Sequence, residues 1–327
     1  MSEQPSERNR LPVGRLAPSP TGAQHVGNAR TYLIAWLSIR ARSGRVILRI
    51  EDIDSPRVKP WAVQQSMDDL RWLGLDWDEG PDLGGPQAPY IQTERCEHYI
   101  AVLQQWQMLE RVYPCTCTRS DIAAAASAPH FGQEGPRYPG TCSGRRVRDA
   151  AALTEPYVWR WRASDRLWQL HDQFAGESTC RVDQDLGDFI VAKKDGSPAY
   201  QLAVVVDDHA MGITEVCRGD DLLPSAFRQL ELYASLGWPS PEFTHVPLVV
   251  GSDGRRLAKR HGDTRLSQLR EAGVSPERLV GLLAHSCGWQ ARPDPISSRE
   301  LLSRFQLGLI PPAPWEFTEP MWRELLR

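Results

Sequence analysis

The 327-residue sequence holds no run approaching about 18 consecutive apolar residues, the length a membrane-crossing helix requires. Its opening, MSEQPSERNRLP, has neither an apolar core nor a small-residue cleavage site. A secretory leader is therefore not expected; a cytoplasmic protein with a flexible tail over residues 1–12 and no membrane contact is. Positive charge is not in excess either. With 38 Lys and Arg against 41 Asp and Glu, the net charge is −3, so any nucleic-acid contact has to be a local patch. No internal repeat is found, and 41% hydrophobic with 24% charged residues excludes disorder, collagen and coiled coil as the main plan. The seven cysteines are an odd number in a chain without an export signal, which favours thiols and metal ligands over a disulfide framework.

What is present is a chain longer than the usual single domain, so two or three packed units are expected, one of them an insertion. The 26 Pro and 25 Gly imply many turns, and 12 Trp is a high count. A strand signal at Val13 to Ala17 returns at Arg45 to Ile50 (RVILRI), with a helix-like stretch from Asn28 to Arg42 between them, which makes one βαβ unit. Trp61 to Leu73 and Thr93 to Leu109 carry apolar residues at helical spacing, separated by Pro and Gly. A stretch of different character follows, with Cys115, Cys117, Cys142 and a Pro/Gly-rich segment. It reads as an inserted subdomain. From Asp188, FIVAKK, an Asp195-Gly196 turn and AYQLAVVVDD predict a β-hairpin. The sheet then resumes through Ile213 to Val216, a helix over Leu223 to Leu236 and a strand at His245 to Val250. The expected fold class is α/β. Its main domain is split into residues 13–111 and 188–250 around an insertion at 112–187, and residues 251–327 supply a basic loop and a short helical region.

Two local patterns carry chemistry. The first strand runs into PSPTGAQHVGN and then a helix, and a strand, a Gly-containing turn and a helix N-terminus present free N–H groups to an anion such as a nucleotide phosphate. Far downstream, LAKRH at 257–261 places a basic pair on a Gly-flanked loop. Taken singly, the first is any βα loop and the second a solvated charge run.

Taken in order, RLAPSPTGAQHVGNAR, RIEDIDSPR, GSPAYQLAVVVDDHAMGITEVCRGDDLL and RRLAKRHG resemble the glutamyl branch of the class I aminoacyl-tRNA synthetases, with its HIGH and KMSKS signatures. The resemblance covers most of residues 13–290. It implies a Rossmann-type catalytic domain that activates an amino acid by displacing pyrophosphate from ATP, with Mg²⁺ accompanying the nucleotide. Catalysis would rest on positioning and on cations where negative charge develops. By the resemblance, His25 donates to the phosphates, Gly27 allows close approach, and Lys259 meets the phosphates with Arg260 beside it. Arg256 stands in place of the first Lys of KMSKS, Ala258 in place of Ser, and Asn28 where many relatives have Gly. For a glutamate substrate the resemblance implies Arg15 and Arg218 as carboxylate forks, Glu51 for the ammonium, Tyr200 as a phenolic donor and Ser19 at the pocket floor. Glu51 and Arg49 alternatively pair at a strand end, and Tyr200 alternatively packs in the hairpin.

Three thiolates need a fourth donor for a closed zinc site. Short glutamyl-Q tRNA(Asp) synthetases show C-x-C followed by Y-x-x-x-C, which the sequence matches with Cys115, Cys117, Tyr138 and Cys142. One structural Zn²⁺ is therefore implied, with Tyr138 as fourth ligand and His130 as the alternative. Only 66 residues follow His261, too few for the helical anticodon-reading domain of a full glutamyl-tRNA synthetase. That narrows the resemblance to the glutamyl-Q family, which transfers glutamate to queuosine at the wobble position of tRNA(Asp). A monomer is expected. The competing readings are a shortened synthetase charging the 3′ end of tRNA, a small-molecule adenylyltransferase, and a zinc-bearing RNA-binding module without catalysis.

Overall fold

The computed structural model describes residues 11–53, 58–125, 137–257 and 264–327. Strand β1 (Val13–Leu16), helix α1 (Val26–Arg40) and strand β2 (Arg45–Leu48) form the βαβ unit, the strands parallel with Val13 opposite Arg45. Two reciprocal bonds start α1. The His25 side chain accepts the Gly27 N–H at 3.1 Å and Asn28 Oδ1 accepts the His25 N–H at 3.2 Å, satisfying donors that a helix start leaves free. Helix α2 (Pro60–Trp72) opens on a proline, which suits a first turn that needs no N–H donor, and α3 (Cys96–Met108) follows.

Strand β3 (Val112–Cys115), helix α4 (Arg119–Ala125), strand β4 (Val158–Trp161), the hairpin of β5 (Leu167–Asp172) with β6 (Gly176–Arg181), and β7 (Phe189–Ala192) come next. β3, β4 and β7 make one antiparallel sheet in which β4 is central, so this sheet draws on both sides of the expected 187/188 boundary.

The Asp195-Gly196 turn forms, with the Gly196 N–H donating to the Lys193 carbonyl at 2.9 Å. The second arm of the expected hairpin does not. Apart from one Ala192–Pro198 bridge, the chain enters helix α5 (Tyr200–Ala210). Leu202 to Val206 are all buried in α5, and a helix buried on every side shows no amphipathic period, so its valines mimic a buried strand. The second βα unit is β8 (Glu215–Gly219), α6 (Leu223–Ser235) and β9 (Glu242–Val246), again parallel. It abuts the first because the Thr214 N–H donates to the Val13 carbonyl at 2.9 Å and the Val13 N–H to Thr214 Oγ1 at 2.8 Å. Strand β10 (Val249–Val250), helices α7 (Leu266–Glu271) and α8 (Pro276–Ser286), strand β11 (Trp315–Glu316) and helix α9 (Glu319–Leu326) complete the chain, with β11 parallel to β10.

One apolar core joins α1, α2, α7, α8 and α9 through residues such as Leu33, Trp36, Leu70, Leu283 and Trp322. A second lies under α3, α5 and α6, and a small third one gathers Tyr113, Cys115, Tyr138, Cys142 and Val158. Among the described residues no helix is long and apolar enough to cross a membrane.

Candidate active site

A cavity of about 1290 Å³ opens where the C-terminal ends of β1 and β8 face the start of α1, and Arg15, Ser19, His25, Gly27, Glu51, Tyr200 and Arg218 all line it. These residues come from positions 15 to 218 of the chain, so the fold and not the sequence neighbourhood assembles them. Ser19 is exposed, in a tight turn where its carbonyl accepts the Thr21 N–H at 2.8 Å, and it lines the cavity.

The downstream loop is anchored on the same side. Val26 N–H donates to the Thr264 carbonyl at 3.2 Å and Leu266 N–H to the Gln24 carbonyl at 2.9 Å, so the chain after residue 263 runs beside His25. Before the loop, Leu257 N–H donates to the Val249 carbonyl at 2.9 Å, and Arg256 lines the cavity while pairing with Asp221 at 2.6 Å. Both ends of the KMSKS-like segment thus border the cavity. Lys259, Arg260 and Ala258 lie outside the described residues.

His25 is held in one protonation state. Its Nδ1 accepts a backbone N–H, which leaves the ring proton on Nε2, and burial followed by the nearby Arg256 cation lowers its pKa to about 4. At neutral pH it is a neutral donor. Gly27 has little room for a side chain, since a Cβ there would sit 3.0 Å from His25 Cε1 and 3.4 Å from Val249 Cβ.

One side of the cavity is an ionic cluster. Arg49, fully buried, bridges Glu51 at 2.9 Å and Asp208 at 2.7 Å, while Asp207 receives Arg95 at 2.7 Å. The Arg49–Glu51 pair therefore forms, and Glu51 still borders the cavity. Burial raises the pKa of Glu51, opposed by Arg49 and Arg15. Arg15 donates through Nη1 to the Cys217 carbonyl at 3.0 Å, and Arg218 donates to His245 Nε2 at 3.0 Å and the Leu222 carbonyl at 3.3 Å. Each arginine keeps one buried donor without a hydrogen-bond partner, Nε of Arg15 and Nη1 of Arg218. Arg15 Nε faces the Asp208 carboxylate at 3.9 Å. Tyr200 sits at the first turn of α5, not in a hairpin, and burial with the neighbouring Glu51 raises its pKa, so the phenol keeps its proton.

His245, Asp172 and the Asp207–Asp208 pair were not singled out from sequence, and Asn28 was noted only as a departure from Gly. Asp207 and Asp208 lie within the quoted VVVDDHAMG motif, but their partners Gln92, Arg95 and Arg49 are more than 100 residues away. The cavity also takes Arg119, Lys193 and an exposed Trp61 into its wall.

Cys115, Cys117 and Cys142 bring their sulfurs within 4.8 Å of one another, and among the described residues this is a grouping suited to a metal ion. The Cys117–Cys142 sulfur separation is 3.6 Å, near the roughly 3.8 Å edge of a tetrahedron built with Zn–S bonds of about 2.3 Å. Tyr138 Oη is 3.3 Å from Cys115 Sγ and 3.8 Å from Cys117 Sγ, and it accepts the Cys142 N–H at 2.7 Å. The Arg160 guanidinium lies 3.9 Å from the Tyr138 ring centroid, a cation–π contact, while burial pushes the phenol's pKa up. The donor set fits Zn²⁺. His130 lies outside the described residues.

The parallel strands, the capped helix and the two motif-bearing loops define a class I tRNA synthetase catalytic domain; that family, described as tRNA synthetases class I (E and Q), catalytic domain, matches residues 13–317. The glutamyl-Q tRNA(Asp) synthetase of Rhodopirellula baltica is 50% identical over 314 residues, covering 93% of this chain and 93% of its own length. Glutamate–tRNA ligase 2 of Syntrophus aciditrophicus is 42% identical over 276 residues, and the chain covers 84% of itself but 57% of that relative. Among solved structures, a glutamate tRNA ligase from Elizabethkingia meningosepticum in complex with its amino acid superposes with a TM-score of 0.81 at 29% identity, covering 97% of this chain and 69% of that one. The chain belongs to the glutamyl-Q tRNA(Asp) synthetase family, and it is a class I synthetase-like ligase.

Proposed function

We propose that the protein activates L-glutamate with ATP and transfers it to the queuosine base at the wobble position of tRNA(Asp). One observation carries this reading. Arg15, Glu51 and Arg218 share a cavity with His25 and with both ends of the KMSKS-like segment, so an amino acid and a nucleotide would meet there. Arg15 and Arg218 hold the glutamate carboxylates, and Glu51, kept near Arg49, faces the ammonium. A glutamate carboxylate oxygen attacks the α-phosphorus, the bond to the bridging oxygen breaks, and pyrophosphate leaves. His25 donates from Nε2 and Lys259 adds positive charge as the phosphates gain negative charge; the Gly27 backbone stays close to the nucleotide. Magnesium, when bound with ATP, neutralises phosphate charge. A hydroxyl on the queuosine cyclopentene ring then attacks the glutamyl carbonyl, the carbonyl–phosphate C–O bond breaks, and AMP leaves with the electron pair while its departing phosphate takes up the hydroxyl proton.

In the same reading Cys115, Cys117, Cys142 and Tyr138 hold one structural zinc, which takes no part in the chemistry and staples a segment with only a small core. The deciding experiment follows labelled glutamate onto tRNA(Asp) with and without queuosine and locates the label. Label on the modified base, dependent on queuosine, is expected. Label on the 3′ end of tRNA lacking queuosine would replace this reading with tRNA charging, and a stable adenylated product formed without tRNA would point to small-molecule transfer.

A further inference from the structure

Arg218 is held by a buried relay that reaches into another part of the molecule. Its Nε donates to His245 Nε2 at 3.0 Å, and His245 Nδ1 lies 2.6 Å from Asp172 Oδ2. Neither the His245 nor the Asp172 side chain has exposed surface. An imidazole that accepts a donor on Nε2 beside a carboxylate on Nδ1 is neutral, with its proton on Nδ1. Burial holds the His245 pKa down, with Arg218 adding to this and Asp172 opposing it. Asp172 closes the end of β5, and its Oδ1 accepts three backbone N–H groups, from Phe174 at 3.0 Å, Ala175 at 2.8 Å and His245 at 3.0 Å. Burial raises the Asp172 pKa, but the bonds from His245 and Ala175 outweigh it and keep the carboxyl below its usual range.

We propose that Asp172 and His245 are positioning residues, a relay locked in one tautomer that fixes the Arg218 guanidinium toward the substrate carboxylate and so ties the β5–β6 hairpin to the amino-acid pocket. This rests on Arg218 binding glutamate, as proposed above.

The backbone cradle makes Asp172→Asn a specific test. The Phe174 and Ala175 N–H donors keep the amide oxygen at the Oδ1 position, the His245 N–H being shared with Oδ2 at 3.1 Å, so the NH₂ faces His245 Nδ1 and donates to it. The ring proton then moves to Nε2, where it confronts the Arg218 Nε–H. Two donors face each other and the guanidinium turns away. In glutamate-dependent ATP–pyrophosphate exchange, Asp172→Asn should raise the KM for glutamate by up to about a hundredfold and leave the KM for ATP unchanged. Combined with Arg218→Ala it should add nothing to the loss that Arg218→Ala gives alone. His245→Gln, whose amide oxygen can replace the Nε2 lone pair, should retain more glutamate affinity than His245→Leu. Wild-type glutamate KM in Asp172→Asn, equal loss for both substrates, or additive effects with Arg218→Ala would overturn the proposal.

A measurement on the unaltered protein stands behind the variants. The ¹⁵N shifts of His245 in the wild type should show a neutral ring protonated on Nδ1, and a proton on Nε2 would refute the relay. Absence of glutamate-dependent exchange in the wild type would instead remove the pocket assignment on which the proposal rests.

Discussion

Lys259→Ala should lower the rate of glutamate-dependent pyrophosphate exchange far more than it changes the KM for glutamate, because the partner proposed for Lys259 is charge that develops only at the transition state. Equal activity in the variant would remove that role. His25 gives a second test, through pH. Its imidazole titrates at about 4 in the folded chain against an ordinary 6.5, so between those values the unfolded chain binds the extra proton and stability falls as pH drops through that window. In urea unfolding, His25→Gln should flatten part of this fall, and identical slopes for the two proteins would contradict the buried neutral ring. The residues legible in sequence were those whose neighbours form an ordered motif: Arg15, His25, Glu51, Tyr200 and Arg218. Asp172 and His245 were not, because 73 residues separate two side chains whose only signature is their meeting. Asn28 was noticed as a departure from Gly, but its capping role depends on the exact φ and ψ of His25, which spacing does not reveal.

At the scale of elements, Gly281 in α8 offers a direct test of packing. An added Cβ would lie 2.2 Å from the Asp294 carbonyl oxygen, a backbone atom with little freedom to move. Gly281→Ala should therefore cost about 1–3 kcal/mol in denaturant unfolding; an unchanged midpoint would show that the 294–295 segment yields. The cysteine-bearing segment gives another. Cys142→Ser should reduce metal from about one zinc per chain to a small fraction, by elemental analysis, and lower the melting temperature. Full stability in a metal-free wild type would remove the site. Element by element, the two βα units and helices α2, α3 and α6 were legible because each shows a clean period or a Pro or Gly stop. Helix α5 was not, since valines buried on all sides erase the alternation that separates helix from strand.

For the whole molecule, the cavity spans residues from both βα units, so filling it should bind them together. A non-hydrolysable glutamyl-adenylate analogue at a hundred times its Kd should stabilise the protein by about 2.7 kcal/mol, if the unfolded chain does not bind it. A shift produced equally by any adenylate would locate the gain in the nucleotide side alone. The parallel architecture followed from alternation of strand and helix signals, whereas the β3–β4–β7 sheet did not. Its strands come from positions 112, 158 and 189, and nothing local encodes such pairing.

The seam between Val13 and Thr214, and the bonds from Gln24 and Val26 to residues 264 and 266, join points of the chain made far apart in time. During synthesis the first βα unit can take shape early, yet its pocket stays open until most of the polypeptide has left the ribosome. A chain that stops short of residue 218 therefore carries the β1 and α1 part of the cavity lining but lacks the wall that Arg218 and residues 264 and 265 supply.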